Sequence, residues 1–434
     1  MTKTDQPGAA EPSAPKPFKR PELLAPAGSF EKLQAAVFYG ADAVYLGGSR
    51  YSLRARAANF TEAGIGQAVS YAHAHGVKVY CTVNILAHHE DFSGLDDYLR
   101  SLGDAGVDGL IIADPGILTV ARQVVPRLAI HLSTQANVTN PAAARFWQEQ
   151  GVRRLNLARE LSLAEISAVR QAISAEIEVF VHGALCISYS GRCLLSQYLT
   201  GRGANQGDCA HPCRYRYQLQ EEKRPGQYFP VEEDEHGTYI FNSRDLCLLG
   251  RLPDLLAAGV DCLKIEGRMK SVAYVGTVVR LYRAALDALA DSGRSAAAEW
   301  PPPAFRRELE MIGSRGYTEN FLDGRPGAGS MQYAVPHIQP AAVPVGLVRR
   351  VDELPLIEAR NPITVGDELL YLDRQGLQNY AITVREMRRE TDGEPVTRAN
   401  PNDLVILRVD PTPPRWEVHA LLRRASSRED NGAS

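Results

Sequence analysis

A chain of 434 residues has room for one large domain and a smaller one, and its hydrophobic fraction of 44% is ordinary for a globular protein. A formal net charge of −3 excludes nucleic-acid binding through overall basicity, so any RNA-binding surface has to be a local patch. The apolar runs are far below membrane-spanning length and residues 1–20 lack the apolar core of a secretory signal; a cytoplasmic location is expected, where seven cysteines serve as free thiols, metal ligands or catalytic groups more readily than as disulfides.

Residues 1–20, rich in Pro and Ala, read as a disordered tail. From residue 21 to about 292 a short apolar run alternates with an amphipathic segment eight times. The runs are ELLAPAG (22–28), AVYLGG (43–48), VKVYCTVN (77–84), GLIIADP (109–115), AIHLSTQAN (129–137), RLNLARE (154–160), IEVFVHG (177–183) and DCLKIEG (261–267). Each is nearly continuous in apolar residues, as a strand buried on both faces should be. Ser162 and Glu165 form a capping box ahead of Leu163, Ile166, Val169 and Ile173 at helical spacing. Asn140-Pro141 fits an N-cap followed by proline in the first turn, and Gly40, Gly76, Gly106, Gly151 and Gly259 stand where helices should end. Eight strand-first units predict an α/β fold of TIM type, a closed (β/α)8 barrel, with a doubly wound open sheet as its rival.

The seventh unit breaks the rhythm. Residues 186–245 form a long insertion before a helix expected over 246–258, and a loop of that length is usually functional. A long eighth helix is expected over 271–292, then a connector over 293–338 with a short helix. From 339 to 424 the pattern changes to period two, and VGLVRRV, DELLYLD, YAITVREM, DLVILRV and WEVHALL read as the strands of a small β-barrel or sandwich. Residues 425–434 read as a second disordered tail.

Five cysteines, Cys186, Cys193, Cys209, Cys213 and Cys247, lie in or beside the insertion. Thiolates are soft ligands suited to iron–sulfur clusters, zinc or copper(I), and spacing alone does not separate these. Cys81 and Cys262, placed mid-strand, read as small core hydrophobes. In a parallel barrel the reactive residues stand at the C-terminal ends of strands. That rule collects Asn84, Asp114, Gln135, Arg159, Glu160, His182, Glu266, Arg268 and Lys270. Arg50, Arg54 and Arg56, with Arg192, Arg202, Arg214 and Arg216, extend a cationic rim suited to phosphates or a small dicarboxylate. Tyr189, Tyr215 and Tyr217 are candidates to stack on bases. Glu266 and Arg268 flank a glycine and alternatively hold each other in a salt bridge. There is no GxSxG elbow, HExxH pair or Walker loop, which gives proteolysis little direct support.

EVFVHGALCISYSGRCLLS (178–196) matches the signature of the collagenase-like peptidase U32 family, and ELLAPAG, GADAVYLGG, GDCAHPCRY and LKIEGRMKS look like that family too. The resemblance spans roughly residues 21–424. It implies an oxygen-independent hydroxylase carrying a [4Fe–4S] cluster on four cysteines, which by position are Cys186, Cys193, Cys209 and Cys247, with Cys213 as a possible replacement. NSRDLCLL, KIEGRMKS and the C-terminal domain look most like the branch that hydroxylates the wobble uridine of tRNA, with prephenate implied as the source of the hydroxyl. In that reading His182, Glu266 and Arg268 are catalytic, and Arg54, Arg159, Glu160, Arg244 and Lys270 bind substrate. Hydroxylation of ribosomal RNA and the peptidase activity of the family's label are the alternatives, along with a non-catalytic binding role.

Overall fold

The computed structural model describes residues 20–425 apart from 54–58, 187, 191, 215–218, 221–227, 230–231, 235–236, 240–242, 292–299 and 325–339. Both expected tails lie almost wholly outside the described residues. Eight parallel strands close into a barrel: β1 Glu22–Pro26, β2 Ala43–Gly47, β3 Lys78–Val83, β4 Gly109–Ile112, β5 Ala129–Leu132, β6 Arg154–Asn156, β7 Glu176–Gly183 and β8 Cys262–Ile265. Each pairs with the next in order, and β8 pairs with both β1 and β7, which closes the ring and removes the open-sheet rival. The strands are short and dense in buried residues, all five of β2 for example, because one face fills the barrel and the other meets helices.

The helices around the barrel are α1 Phe30–Phe38, α2 Glu62–Ala74, α3 Leu95–Asp104, α4 Pro115–Val124, α5 Pro141–Glu149, α6 Leu163–Ala172, α7 Leu252–Ala257 and α8 Val272–Asp291. Their starts follow local chemistry. Ser162 accepts a bond from the Glu165 amide while the Glu165 carboxylate accepts one from the Ser162 amide at 2.7 Å, a reciprocal cap of α6. Asn140 caps α5 ahead of Pro141, and Ser29 caps α1.

The end of the barrel away from the insertion is filled by charge rather than by oil. Arg154, at the start of β6, donates to Glu22 and Glu176, each at 2.6 Å, and Lys264 donates to Glu178 at 2.7 Å. Arg154, Lys264 and Glu178 are 4%, 3% and 1% exposed, so each charge survives burial only because the opposite charge is beside it. Cys262 sits fully buried in this layer and Cys81 in the wall, both core residues as expected.

Two segments differ from the sequence reading. Residues 246–258 are not one helix: Asp245–Cys247 forms a strand antiparallel to the extended end of β7, pairing Leu246 with Gly183 and Cys247 with His182, and α7 begins only at Leu252. Pro253 in the first turn of α7 fixes that start, and the exposed edge of β7 supplies backbone partners to the residues before it. The connector likewise contributes a strand, Tyr317–Thr318, beside Asp245–Leu246, as well as the helix Pro303–Glu310.

The C-terminal domain is a closed antiparallel barrel of β9 Ala342–Val351, β10 Pro355–Ala359, β11 Glu368–Leu372, β12 Asn379–Arg389, β13 Leu404–Asp410 and β14 Leu421–Ala425, in ring order β11-β14-β9-β10-β13-β12. The period-two pattern missed β10 and placed a strand over 416–422, of which only Leu421 and Leu422 belong to β14. This domain packs on the flank of the large barrel. The hydroxyl of Tyr39, just past the end of α1, donates to the Leu372 carbonyl at 3.3 Å and accepts from the Leu421 amide at 2.9 Å. Arg280 of α8 reaches the carbonyls of Asp373 and Gln378, and Arg423 of β14 makes a two-pronged pair with Glu308 at 2.6 and 2.8 Å. Among the described residues no helix is long and apolar enough to cross a membrane.

Candidate active site

The C-terminal ends of the strands and the start of the insertion enclose a cavity of about 220 Å³. Its floor comes from side chains inside the barrel, including Tyr45, Thr82, Asn156, Phe180 and Lys264, and its upper wall from the insertion. Four thiols, Cys186, Cys193, Cys209 and Cys213, line that wall. Cys209 and Cys213 are half-buried, and the Cys209 sulfur accepts from the His211 amide at 3.4 Å. Cys247 stands outside this lining. It is buried, its sulfur 3.9 Å from the Tyr282 hydroxyl, and burial pushes its thiol up to about 11. No three His, Cys, Asp or Glu side chains among the described residues converge on one metal-sized point. In number and chemistry the donor set nonetheless fits a thiolate-bound group, because four soft ligands face one space.

Arg159, Arg268, Arg315 and Lys264 make up the cationic part of the site. Arg159, following β6, donates to the Ala184 carbonyl at 3.1 Å and to the Ser190 hydroxyl at 2.9 Å, and its guanidinium lies 5.4 Å from the centre of the Phe180 ring. These bonds tie the end of β6 to the first turn of the insertion. Arg268, following β8, is 4% exposed and spans the barrel to donate to Ser52 at 2.9 Å, Thr82 at 3.1 Å and Asn59 at 2.8 Å. Glu266 also lines the cavity, its carboxylate accepting the Tyr45 hydroxyl at 3.2 Å. Gly183 lets β7 pass close to this loop: its φ is +115°, and a Cβ there would come within 2.4 Å of the Glu266 carbonyl oxygen.

Other residues singled out in the sequence are placed elsewhere. His182 is buried within a cage of Tyr274, Tyr282 and Tyr317, with ring centres 6.0, 5.6 and 5.5 Å away. Burial pushes its imidazole down to about 4 against a smaller upward pull from Asp245, so it is neutral near pH 7 and set back from the cavity. Glu160 is half-buried beside the site, its carboxyl raised by burial despite Arg159 next to it. Lys270 lies over the Tyr274 ring at 5.4 Å and faces the crevice toward the C-terminal domain, and Arg244 precedes the strand Asp245–Cys247 without joining the lining. Asp114 caps α4 through the amides of Gly116 and Ile117. Arg202 pairs with Asp208 at 3.0 Å. Arg54, Arg56, Tyr215, Arg216 and Tyr217 lie outside the described residues, as does the side chain of Arg214.

Sequence reasoning missed Asn156, Lys264 and Arg315. Arg315, from the connector, lines the cavity and clamps Asp245 at 2.6 Å. Burial alone would raise the Asp245 carboxyl, but Arg315 holds it below its ordinary value. The signal for the other two was a polar residue interrupting an apolar strand, Asn156 in RLNL and Lys264 in CLKI.

Residues 28–332 match the model of Peptidase family U32, and residues 343–423 match that of the Peptidase family U32 C-terminal domain. The chain is 39% identical over 397 residues to tRNA hydroxylation protein P1 of Bacillus subtilis, covering 90% of this chain and 92% of that protein. It is 38% identical over 407 residues to tRNA hydroxylation protein P of Escherichia coli, covering 84% and 88% respectively. A 34% match to the 23S rRNA 5-hydroxycytidine C2501 synthase of Escherichia coli covers 89% of this chain and 57% of that protein.

Proposed function

The chain belongs to peptidase family U32, and from that membership and the chemistry of the barrel mouth we propose that it is an RNA-modifying enzyme that hydroxylates C5 of the wobble uridine of tRNA, with a cysteine-bound [4Fe–4S] cluster as cofactor and prephenate as the source of the hydroxyl. The observation that carries this reading is one cavity lined by four thiols and three arginines, in a chain whose relatives at 38% and 39% identity are named for tRNA hydroxylation.

Cys186, Cys193 and Cys209 would hold the cluster, with Cys247 or Cys213 as the fourth thiolate. When bound, such a cluster supplies electron-transfer chemistry that no side chain offers, which suits an oxidation at carbon. Arg159 and Arg268 present fixed guanidinium groups to carboxylate or phosphate oxygens. Glu266, held by Tyr45, is the cavity's candidate to accept a proton as C5–H is replaced. His182 acts as a positioning residue for the rim, since its ring packs the end of β7 against α8 and the strand Tyr317–Thr318.

The test is deletion of the gene in a host without an oxygen-dependent enzyme for the same nucleoside, followed by mass spectrometry of tRNA nucleosides. Loss of 5-hydroxyuridine derivatives, restored by the wild-type gene, is the expected result, and unchanged tRNA overturns the reading. Loss of 5-hydroxycytidine from ribosomal RNA instead would move the assignment to the alternative substrate. A colourless anaerobic preparation that holds zinc and cleaves collagen would return it to the peptidase label.

A further inference from the structure

Asn156 is the anomaly of the cavity floor. It ends β6, lines the cavity and is 2% exposed, yet neither its amide nitrogen nor its amide oxygen has a hydrogen-bond partner among the described residues. Buried amides are almost always satisfied, so a bare one facing a cavity calls for a ligand. Its polar neighbours show the contrast. The Asn84 side chain accepts from the Leu53 amide at 3.2 Å and donates to Gln135 at 3.3 Å, Gln135 also accepts from Ser133, and Thr134 donates to the Leu157 carbonyl at 3.2 Å. These groups satisfy one another, whereas Asn156 presents a donor and an acceptor side by side.

The partner that satisfies both atoms at once must itself carry an adjacent donor and acceptor. A carboxylate offers only acceptors and would leave the Asn156 oxygen bare in a buried site. The N3–H and O4 of a uracil ring match the amide in both respects, as an asparagine matches a base edge in duplex readout. The same cavity supplies aromatic side chains, Phe180 and Tyr45, each with Lys264 close to its face, at 5.3 and 4.7 Å. A flipped base is commonly read in this manner, by hydrogen bonds on its Watson–Crick edge and packing on its face.

We propose that Asn156 is the base-reading residue of the site, receiving the N3–H and O4 edge of the everted pyrimidine. The proposal rests on the RNA-hydroxylase reading and names the contact that reading lacks. C5 is bonded to C4, so a grip on O4 also sets the position of the reacting carbon. Because both amide atoms are unengaged, the amide can turn over and accept the reversed pattern of cytosine, so Asn156 reads a pyrimidine edge without by itself choosing between the two bases.

The test uses anaerobically purified full-length holoenzyme and anticodon stem–loop RNAs with uridine or 3-methyluridine at the wobble position, the methyl group removing the N3 donor. Wild type should bind the methylated loop about tenfold more weakly, while Asn156→Ala should bind both loops equally, at the weaker level. Iron content of the variant should match wild type. Wild type indifferent to the methyl group overturns the proposal without needing any variant to fold. So does Asn156→Ala retaining the tenfold difference, or raising KM for prephenate with base discrimination intact. Failure of the RNA-hydroxylase reading looks different: wild type then restores no 5-hydroxyuridine derivatives in the deletion strain.

Discussion

Removing Glu308 should uncouple the C-terminal barrel from the large one. Glu308 is 4% exposed and stands between Arg423, 5% exposed, and Arg280, 1% exposed. Arg280 keeps the carbonyls of Asp373 and Gln378 when the carboxylate goes, but Arg423 loses two charge-assisted bonds, and its Nε already lacks a partner among the described residues. At about 1.5–3 kcal/mol for each bond to a charged group, Glu308→Ala should cost about 3–5 kcal/mol, the range found when one member of a buried ion pair is deleted. Glu308→Gln, which keeps one acceptor, should cost about half that. Urea unfolding followed by tryptophan fluorescence reads the effect, since Trp416 packs on Tyr371 within the C-terminal domain at 5.0 Å. Replacing Glu308 and Arg423 together by methionine should recover most of the loss, because no unpaired charge remains. Burial alone would raise the Glu308 carboxyl, but Arg423 and Arg280 outweigh it and hold the group below the ordinary 4.5. Its stabilisation is therefore complete above about pH 4.5 and is lost as pH falls through the folded value, a loss that Glu308→Ala should abolish. A cost for Glu308→Ala below about 1 kcal/mol, or a double variant no better than the single one, would refute the argument.

Further expectations concern the mouth. His182, neutral when folded down to about pH 4 but titrating near 6.5 when unfolded, should withdraw stability progressively as pH falls from 6.5, reaching about 3 kcal/mol near pH 4; His182→Gln should flatten that slope in acid-unfolding curves. Gly183→Ala places a methyl group against the Glu266 carbonyl at a positive φ and should lower the urea midpoint more than Gly366→Ala, a positive-φ position with open space around it. Single Cys→Ala variants at 186, 193, 209, 213 and 247, assayed anaerobically for iron and acid-labile sulfide, should show four losses and one survivor, which names the spare thiol between Cys213 and Cys247. Arg159→Lys, which cannot reach Ala184 and Ser190 while covering Phe180, should raise KM for RNA or for prephenate several-fold with iron content unchanged.

The barrel was legible because parallel strands buried on both faces leave an unbroken apolar run, and because caps such as Ser162 and Glu165 act within a few residues. What escaped was decided by partners distant in the chain. Residues 246–249, Leu-Cys-Leu-Leu, could open a helix, but the free edge of β7 gives the backbone of residues 245–247 a better set of hydrogen bonds, and nothing local announces that edge. The thiols of the insertion were visible as a group, yet the division that leaves Cys213 at the cavity and Cys247 behind it follows from the strand Asp245–Cys247 and from the Tyr282 hydroxyl on α8. The arginines of the rim were over-counted, since Arg202 answers Asp208. The polar residues of the floor were under-counted, since Asn156 and Lys264 each look like a lapse in an apolar strand until the ring closes around them.

The ion-paired plug formed by Arg154, Lys264 and their three glutamates has a consequence for traffic. A vessel stoppered at its foot fills and empties through its lip. Under the proposed reaction, a small reactant held by the cationic side chains of the cavity has to be aboard before a polynucleotide settles over the opening, and its spent remnant departs only after the polynucleotide lifts away. Turnover then follows a compulsory sequence, small molecule first in and last out, which initial-rate kinetics with both reactants varied would reveal as an ordered pattern.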